Sequence, residues 1–314
     1  MYLGLDIGTT KIAAVLADEE GRLVVDTAQD HQADLPAPPG HSEQNPERLI
    51  AIAWAMARRL PAELLADVQA VGVTGQMHGL APLDEEGAVT GPLVTWQDQR
   101  CLEDPAWFTD LNKRLSAPLR PGYGGATLAW YAHHGGLPAG TVSACTIHDL
   151  VAARLCGRPR PATDFSGAAS WGIFDPDRAE WDTGVAEAIG VPDSLLPELL
   201  PCGAVLGRVI LPMAWALGIP EDIPVAVAIG DNQASILATL RTPAEEVALT
   251  LGTGGQVGVV MAAGEARSLA RRRRKCEARP FLDDRALLVG ASLCGGAAWA
   301  WLAEAVIAWQ RDMG

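Results

Sequence analysis

Large apolar residues near the start of the chain show period-two spacing. Tyr2, Leu3 and Leu5 precede, and Ile12, Ala14 and Leu16 follow, the polar segment Gly8-Thr9-Thr10-Lys11. A period of two is that of half-buried strands, so two strands joined by a tight turn are predicted, with Gly8 relaxing the backbone at the bend. The pattern returns in EVALTLGTGGQVGVVM, residues 246–261, where an apolar strand enters the turn Gly252-Thr253-Gly254-Gly255 and another leaves it. LDIGTT and LTLGTG therefore form a weak internal repeat, separated by more than half the chain.

Between these hairpins, strand-like and helix-like stretches alternate, which predicts an α/β architecture. NPERLIAIAWAMARRL, residues 45–60, is amphipathic, with Asn45 suited to cap the helix and Pro46 to its first position. VQAVGVTGQMHGL, residues 68–80, reads as a strand that runs into a polar, glycine-flanked loop. IPVAVAIGDNQASILATL, residues 223–240, is apolar up to Gly230 and then presents Asp231 and Asn232 just before a helix. Ligands of α/β sheets sit at the carboxyl ends of strands, which marks Gln76, Met77, His78 and Asp231 as recognition candidates. Met77 and His78 also suit packing or surface roles, and Asp231 also suits a helix N-cap.

Composition narrows the field. A chain of 314 residues with 49% hydrophobic content is globular and large enough for two domains. Its net charge of −14 argues against nucleic acid or an anionic membrane as partner. Arg271 to Arg274 and Lys275 read as a solvated loop between strands, the alternative being a binding patch. The six cysteines show no C-x-x-C pair, which favours reduced thiols and a cytoplasmic setting. No signal-peptide pattern opens the chain. Residues 290–309 approach the length of a membrane span, but Gly295, Gly296 and Glu304 favour a strand-to-helix element buried between domains.

The turns suggest the chemistry. Successive N–H groups in a tight turn form a concavity for anions, and Thr9, Thr10 and Lys11 add hydroxyl donors and a positive charge. Phosphate fits such a turn. Asp6, at the strand end, could then hold Mg²⁺ through water; an ordinary hairpin with an exposed acid is the plain alternative. Neither a G-x-x-x-x-G-K-[ST] loop nor a dinucleotide fingerprint is present. An acid placed like Asp231 could accept the proton of a hydroxyl that attacks a γ-phosphate.

DIGTTK, LGTGG, GQMHG, TWQDQR (95–100) and IGDNQAS together resemble the carbohydrate kinases of the FGGY family, in the actin-like ATPase (ribonuclease H-like) superfamily. The likeness runs along the whole chain. Residues 146–182 are most similar to sedoheptulose kinases, with xylulose kinases next. The resemblance implies ATP and Mg²⁺ as cofactors, a ketose phosphorylated at a terminal hydroxyl, and no nucleic-acid or membrane partner. It leaves the oligomeric state open, a homodimer included. Position by position, it implies Asp231 as the general base and Met77, His78 and Asn232 as sugar contacts. Gln76 belongs to the same loop, and Trp96, Asp98 and Arg100 are sugar candidates for which a structural ion pair is the alternative. It implies Gly8, Thr9, Thr10, Lys11, Gly252, Thr253 and Gly296 near the phosphates, with Asp6 near the metal. A complete first domain over 1–238 and a partial second, nucleotide-binding domain over 239–314 are expected. Family members continue through a glycine-rich adenosine motif beyond the point where this sequence stops, so adenine-site residues are not expected within it. A sugar-binding or regulatory module without kinase activity is the alternative from another class, and an actin-like structural ATPase is a third.

Overall fold

The computed structural model describes residues 1–251, 255–273, 276–292 and 296–313. They divide into two compact units, Met1–Asp231 and Asn232–Gly314.

The first unit is built on a seven-stranded mixed sheet. Strands β1 (Tyr2–Ile7) and β2 (Lys11–Ala17) form the predicted hairpin, in which Ile7 faces Ile12 and Leu3 faces Leu16. Their alternating apolar residues are fully buried, as a strand with one face on the core requires. β3 (Leu23–Asp30) extends the hairpin on one side. On the other side β4 (Ala70–Gly75) runs parallel to β1. β5 (Val205–Arg208) and β6 (Pro224–Ala226) follow at that edge, and β7 (Ile229–Gly230) continues along β4 beyond β6.

Helix α1 (Pro46–Ala57) packs against the hairpin. It starts as predicted: the Asn45 side chain accepts from the Arg48 N–H at 3.0 Å, and Pro46 occupies the first turn, where its missing N–H costs nothing. Leu49, Ile50, Ala53, Met56 and Ala57 make the buried stripe. Helix α2 (Ile147–Leu155) packs on β4, and the short helix α3 (Phe165–Ala169) packs near β7. A second apolar cluster, including Leu80, Phe108, Leu128, Trp171 and Ile173, supports the loops beyond the sheet.

The second unit contains a four-stranded antiparallel sheet. Val247–Leu251 pairs with Gly255–Ala262, the second predicted hairpin, with Leu251 opposite Gly255. Two expectations need correction here. Arg271 and Arg272 close a helix, Ala263–Arg272, rather than lying in a loop; cations suit that position because the last turn exposes unpaired carbonyls. Strand Arg285–Ser292 does lead to helix Gly296–Met313, but Trp299, Trp301 and Trp309 on that helix are exposed rather than buried. The apolar residues run around its circumference instead of forming one stripe, so packing on a single face cannot cover them. Among the described residues, no helix is long and apolar enough to cross a membrane.

One buried pair in the first unit makes stability depend on pH. His148 and Asp149 are fully buried on α2, 3.9 Å apart, and neither His148 nitrogen has a well-formed hydrogen bond. Burial pushes the imidazole down to about 4 and the Asp149 carboxyl up to about 8. The folded pair therefore carries one proton, on Asp149. The unfolded pair, with ordinary values of 6.5 and 3.8, also carries one proton between about pH 4 and 6.5, so the two slopes cancel there. From pH 6.5 to 8 only the folded pair keeps its proton. Stability should therefore fall as pH rises through that window, by on the order of 2 kcal/mol. Urea unfolding at the two ends of the window tests this. Asp149→Asn, neutral throughout, is expected to flatten the dependence, and equal stability of the parent at both pH values would contradict it.

Candidate active site

β1, β4 and β7 are parallel and end level with one another: Ile7 stands opposite Gly75, and Gly75 opposite Gly230. The chain thus leaves the sheet along one edge at Gly8, at Gln76 and at Asp231. Added side chains would crowd two of these ends, against backbone at Gly75 and against the movable Met77 side chain at Gly230. A Cβ on Gly75 would lie 2.7 Å from the Ile7 carbonyl oxygen, and one on Gly230 would lie 2.6 Å from the Met77 sulfur.

The turn after β1 is held from behind by buried polar side chains. Gln44 Nε2 donates to the Thr9 carbonyl and to Asp34 Oδ1, each at 2.9 Å, while its Oε1 accepts from Gln76 Nε2 at 2.8 Å. His31 Nδ1 accepts from the Ala33 N–H, which assigns the ring proton to Nε2, and Nε2 donates to the Thr9 carbonyl at 2.7 Å. The Thr9 hydroxyl accepts from Trp96 Nε1 at 2.8 Å and reaches Gln76 Oε1 at 3.5 Å. Thr10 and Lys11 remain exposed at the tip, and Gly8 is half-buried. Trp96 keeps 46% of its surface exposed, so its ring forms part of the wall beside the turn.

Asp6 lies just below this turn. Burial holds its carboxyl above the usual carboxylate range, and Oδ1 is buried without a hydrogen-bond partner. A carboxylate oxygen left in that state has the chemistry of a cation ligand. Among the described residues no three metal-ligating side chains cluster. A Mg²⁺ here would accordingly be held by Asp6 and otherwise by water and phosphate oxygens, the environment this ion prefers.

The loop after β4 divides its three candidates. Gln76 is buried, with its side chain committed to Gln44 and Thr9 and its N–H donating to the Ile7 carbonyl at 2.9 Å. Met77 is also buried, packed over Gly230. His78 is partly exposed, with the positive φ of 70° that non-glycine residues rarely adopt. Its N–H donates to the Ser170 hydroxyl at 3.0 Å, its Nδ1 donates to the Ser170 carbonyl at 2.6 Å, and its ring stacks on Tyr123 with centroids 4.7 Å apart. Asp231 is the exposed first residue of helix α4 (Asp231–Thr239), directly after β7.

Asp98 and Arg100 take the structural alternative. Arg100 grips both Asp98 oxygens, at 2.9 and 3.0 Å, and Glu43 at 2.7 Å, and it lies over the Trp130 and Tyr131 rings. Asp98 also accepts from the Ser42 N–H at 2.8 Å. Both side chains are 2% exposed, and the pair braces the loop that carries Trp96. Gln76, Asp98 and Arg100 thus have their polar groups engaged within the protein, Asp98 and Arg100 as the ion pair that was the alternative to sugar contact.

Within the second unit, Asn232 Nδ2 donates to Gln256 Oε1 at 3.1 Å, and its Oδ1 accepts from Arg279 at 3.4 Å. Gly252 and Thr253 lie outside the described residues, and Gly296 begins the final helix. A cavity of about 220 Å³ lined by Ser143, Arg158, Arg160 and Glu198, among others, shares no residue with the strand-end set. Sequence reasoning missed His31, Gln44, Ser170 and Tyr123. Nothing local marks them, since they act on residues between 22 and 92 positions away.

Comparison with known proteins bears on this geometry. A model of the FGGY family of carbohydrate kinases, N-terminal domain, matches residues 1–238. Sedoheptulokinase from Homo sapiens is 31% identical over 342 aligned residues, which cover 99% of this chain and 70% of that protein. Xylulose kinase from Klebsiella pneumoniae is 29% identical over 261 residues, covering 81% of this chain and 53% of its own length. The crystal structure of xylulose kinase from Rhodospirillum rubrum superimposes with a TM-score of 0.79 at 25% identity, over 96% of this chain and 62% of that one.

The buried amide network generates a stability prediction. Gln44→Leu keeps the volume but removes one donor to the Thr9 carbonyl and strands the buried Gln76 amide, while exposed Asp34 turns to water. An unsatisfied buried polar group costs about 1–3 kcal/mol, so a loss of that size is expected in denaturant unfolding. A loss below about 0.5 kcal/mol would show that water replaces the amide at no cost.

Proposed function

The chain belongs to the FGGY family of carbohydrate kinases, with their actin-like ATPase fold, and on that premise we propose that it serves the ATP-dependent phosphorylation of a ketose at a terminal hydroxyl, sedoheptulose to sedoheptulose 7-phosphate. The observation that carries the proposal is the level ending of β1, β4 and β7, which sets the turn at Gly8–Lys11, the loop at 76–78 and Asp231 along one edge. Residues 1–238 are the sugar-binding domain with the first phosphate hairpin, and 239–314 belong to the nucleotide-binding domain.

In this reading His78 and the exposed ring of Trp96 contact the sugar, with Met77 shaping the floor and Asn232 contributing from the start of α4. Asp231 orients the terminal hydroxyl and takes its proton as the sugar oxygen bonds to the γ-phosphorus and the bond to the β-phosphate oxygen breaks. Thr9, Thr10, Lys11 and the backbone of the turn hold the phosphate oxygens, a role the family resemblance also gives to Gly252, Thr253 and Gly296. Mg²⁺, when bound beside Asp6, supplies charge neutralisation for the β- and γ-phosphates. Xylulose is the second reading of the substrate, supported by the match to xylulose kinases.

Two substitutions test the roles. Asp231→Asn, made in a full-length version of the protein, keeps the shape and one acceptor, so kcat should fall by a factor of about 10² to 10⁴ with the ketose Kd nearly unchanged. Coupled ADP release together with isothermal titration measures both. Retention of more than about a tenth of the parent kcat would remove Asp231 from the role of base. His78→Ala should raise KM for the ketose far more than KM for ATP, because the lost contact belongs to one substrate. Equal weakening of both, or of neither, would leave His78 a purely structural residue.

A further inference from the structure

Two elements of the proposed site, the residue before Asp231 and His78, are tied to one short buried segment. Helix α3 is preceded by its N-cap Asp164 and closed by Ser170. The Ser166 hydroxyl accepts the Gly230 N–H at 3.1 Å and donates to Asp164 Oδ1 at 2.7 Å. The same Asp164 oxygen accepts the Gly167 N–H at 2.8 Å, so the serine's orientation is fixed by the cap. One turn later, the Ser170 hydroxyl donates to the Gly167 carbonyl at 2.6 Å and accepts the His78 N–H, while the Ser170 carbonyl accepts from His78 Nδ1.

These partners are 64 and 92 residues apart in sequence, and Asp164, Ser166 and Ser170 are all buried. Each serine uses its single hydroxyl proton within this short segment and turns its lone pair to a backbone N–H outside it. Polar groups so placed are costly to bury and give little net stability compared with an apolar core. They do fix geometry. His78 stays at a positive φ of 70°, a conformation that needs outside support, and the Ser170 contacts supply it.

We infer that Ser166 and Ser170 are positioning residues: through α3 they hold the backbone ahead of Asp231 and the ring of His78 at a set separation, so that base and sugar contact address the same hydroxyl chain. The inference rests on the roles given above to Asp231 and His78. Neither serine needs to touch a ligand. Displacing reacting groups by about 1 Å can cost a hundredfold in rate, which is the scale at which such a brace matters.

The test uses Ser166→Ala and Ser170→Ala, with Ser166→Thr as a variant that keeps a hydroxyl, and reads hydrogen exchange alongside kinetics. Ser166→Ala should speed exchange of the Gly230 amide at least about tenfold and leave the His78 amide unchanged; Ser170→Ala should do the reverse. In turnover, Ser166→Ala should lower kcat about 10- to 100-fold, and Ser170→Ala should act mainly on KM for the ketose. KM for ATP should hold in both, and Ser166→Thr should recover most of the kcat lost. If both alanine variants keep the parent kcat and ketose KM within twofold, or if exchange rises at neither amide, the positioning role is overturned. If the parent itself neither binds nor phosphorylates a ketose, the functional reading above fails instead, and the exchange measurement alone still decides whether the brace exists.

Discussion

The register of three parallel strands governs most of what this protein can do. With Ile7, Gly75 and Gly230 level across the sheet, the segments that follow leave at one height and share one edge. Parallel pairing imposes this because each ladder sets its neighbour's position, and a shift of one residue in β4 would turn Val71 and Val73 out of the core. The glycines at the strand ends make the arrangement sterically feasible, since any side chain there would meet Ile7 or Met77.

From this constraint follows a division of labour among polar residues. Gln44, Gln76, His31, Asp98 and Arg100 are buried and almost wholly occupied with one another or with backbone. They hold the Thr9 turn and the Trp96 loop, and they leave Thr10, Lys11, Trp96, His78 and Asp231 at the surface. Asp6 departs from the rule, with a buried oxygen left without a partner beside the Gly8–Lys11 turn.

Features that depend on neighbours along the chain are legible in the amino-acid sequence. The hairpin at 2–17 declares itself by period-two alternation, α1 by Asn45-Pro46 and its apolar stripe, and the switches from strand to loop at Gly75 and from strand to helix at Gly230 by apolar runs ending in polar residues. Family resemblance adds roles that spacing cannot. What stays hidden is non-local: nothing around residue 44 says that its amide will meet Thr9, and nothing near residue 170 says that it will hold His78. The partners of Gln76 and of the Asp98–Arg100 pair are hidden as well, because a polar residue in a loop reads the same whether it faces solvent or braces the loop from within. The arginine run misleads because its charge hides a helix that continues through Arg272.

The central claim is that the edge formed by these strand ends receives a ketose and presents its terminal hydroxyl to Asp231. A crystal structure of the protein with sedoheptulose tests this most directly. The account predicts a sugar oxygen within roughly 2.6–3.2 Å of the Asp231 carboxylate, with His78 also in contact. A sugar seated in the cavity beside Arg158 and Arg160, or one bound at the strand ends with Asp231 turned away from every hydroxyl, would contradict it.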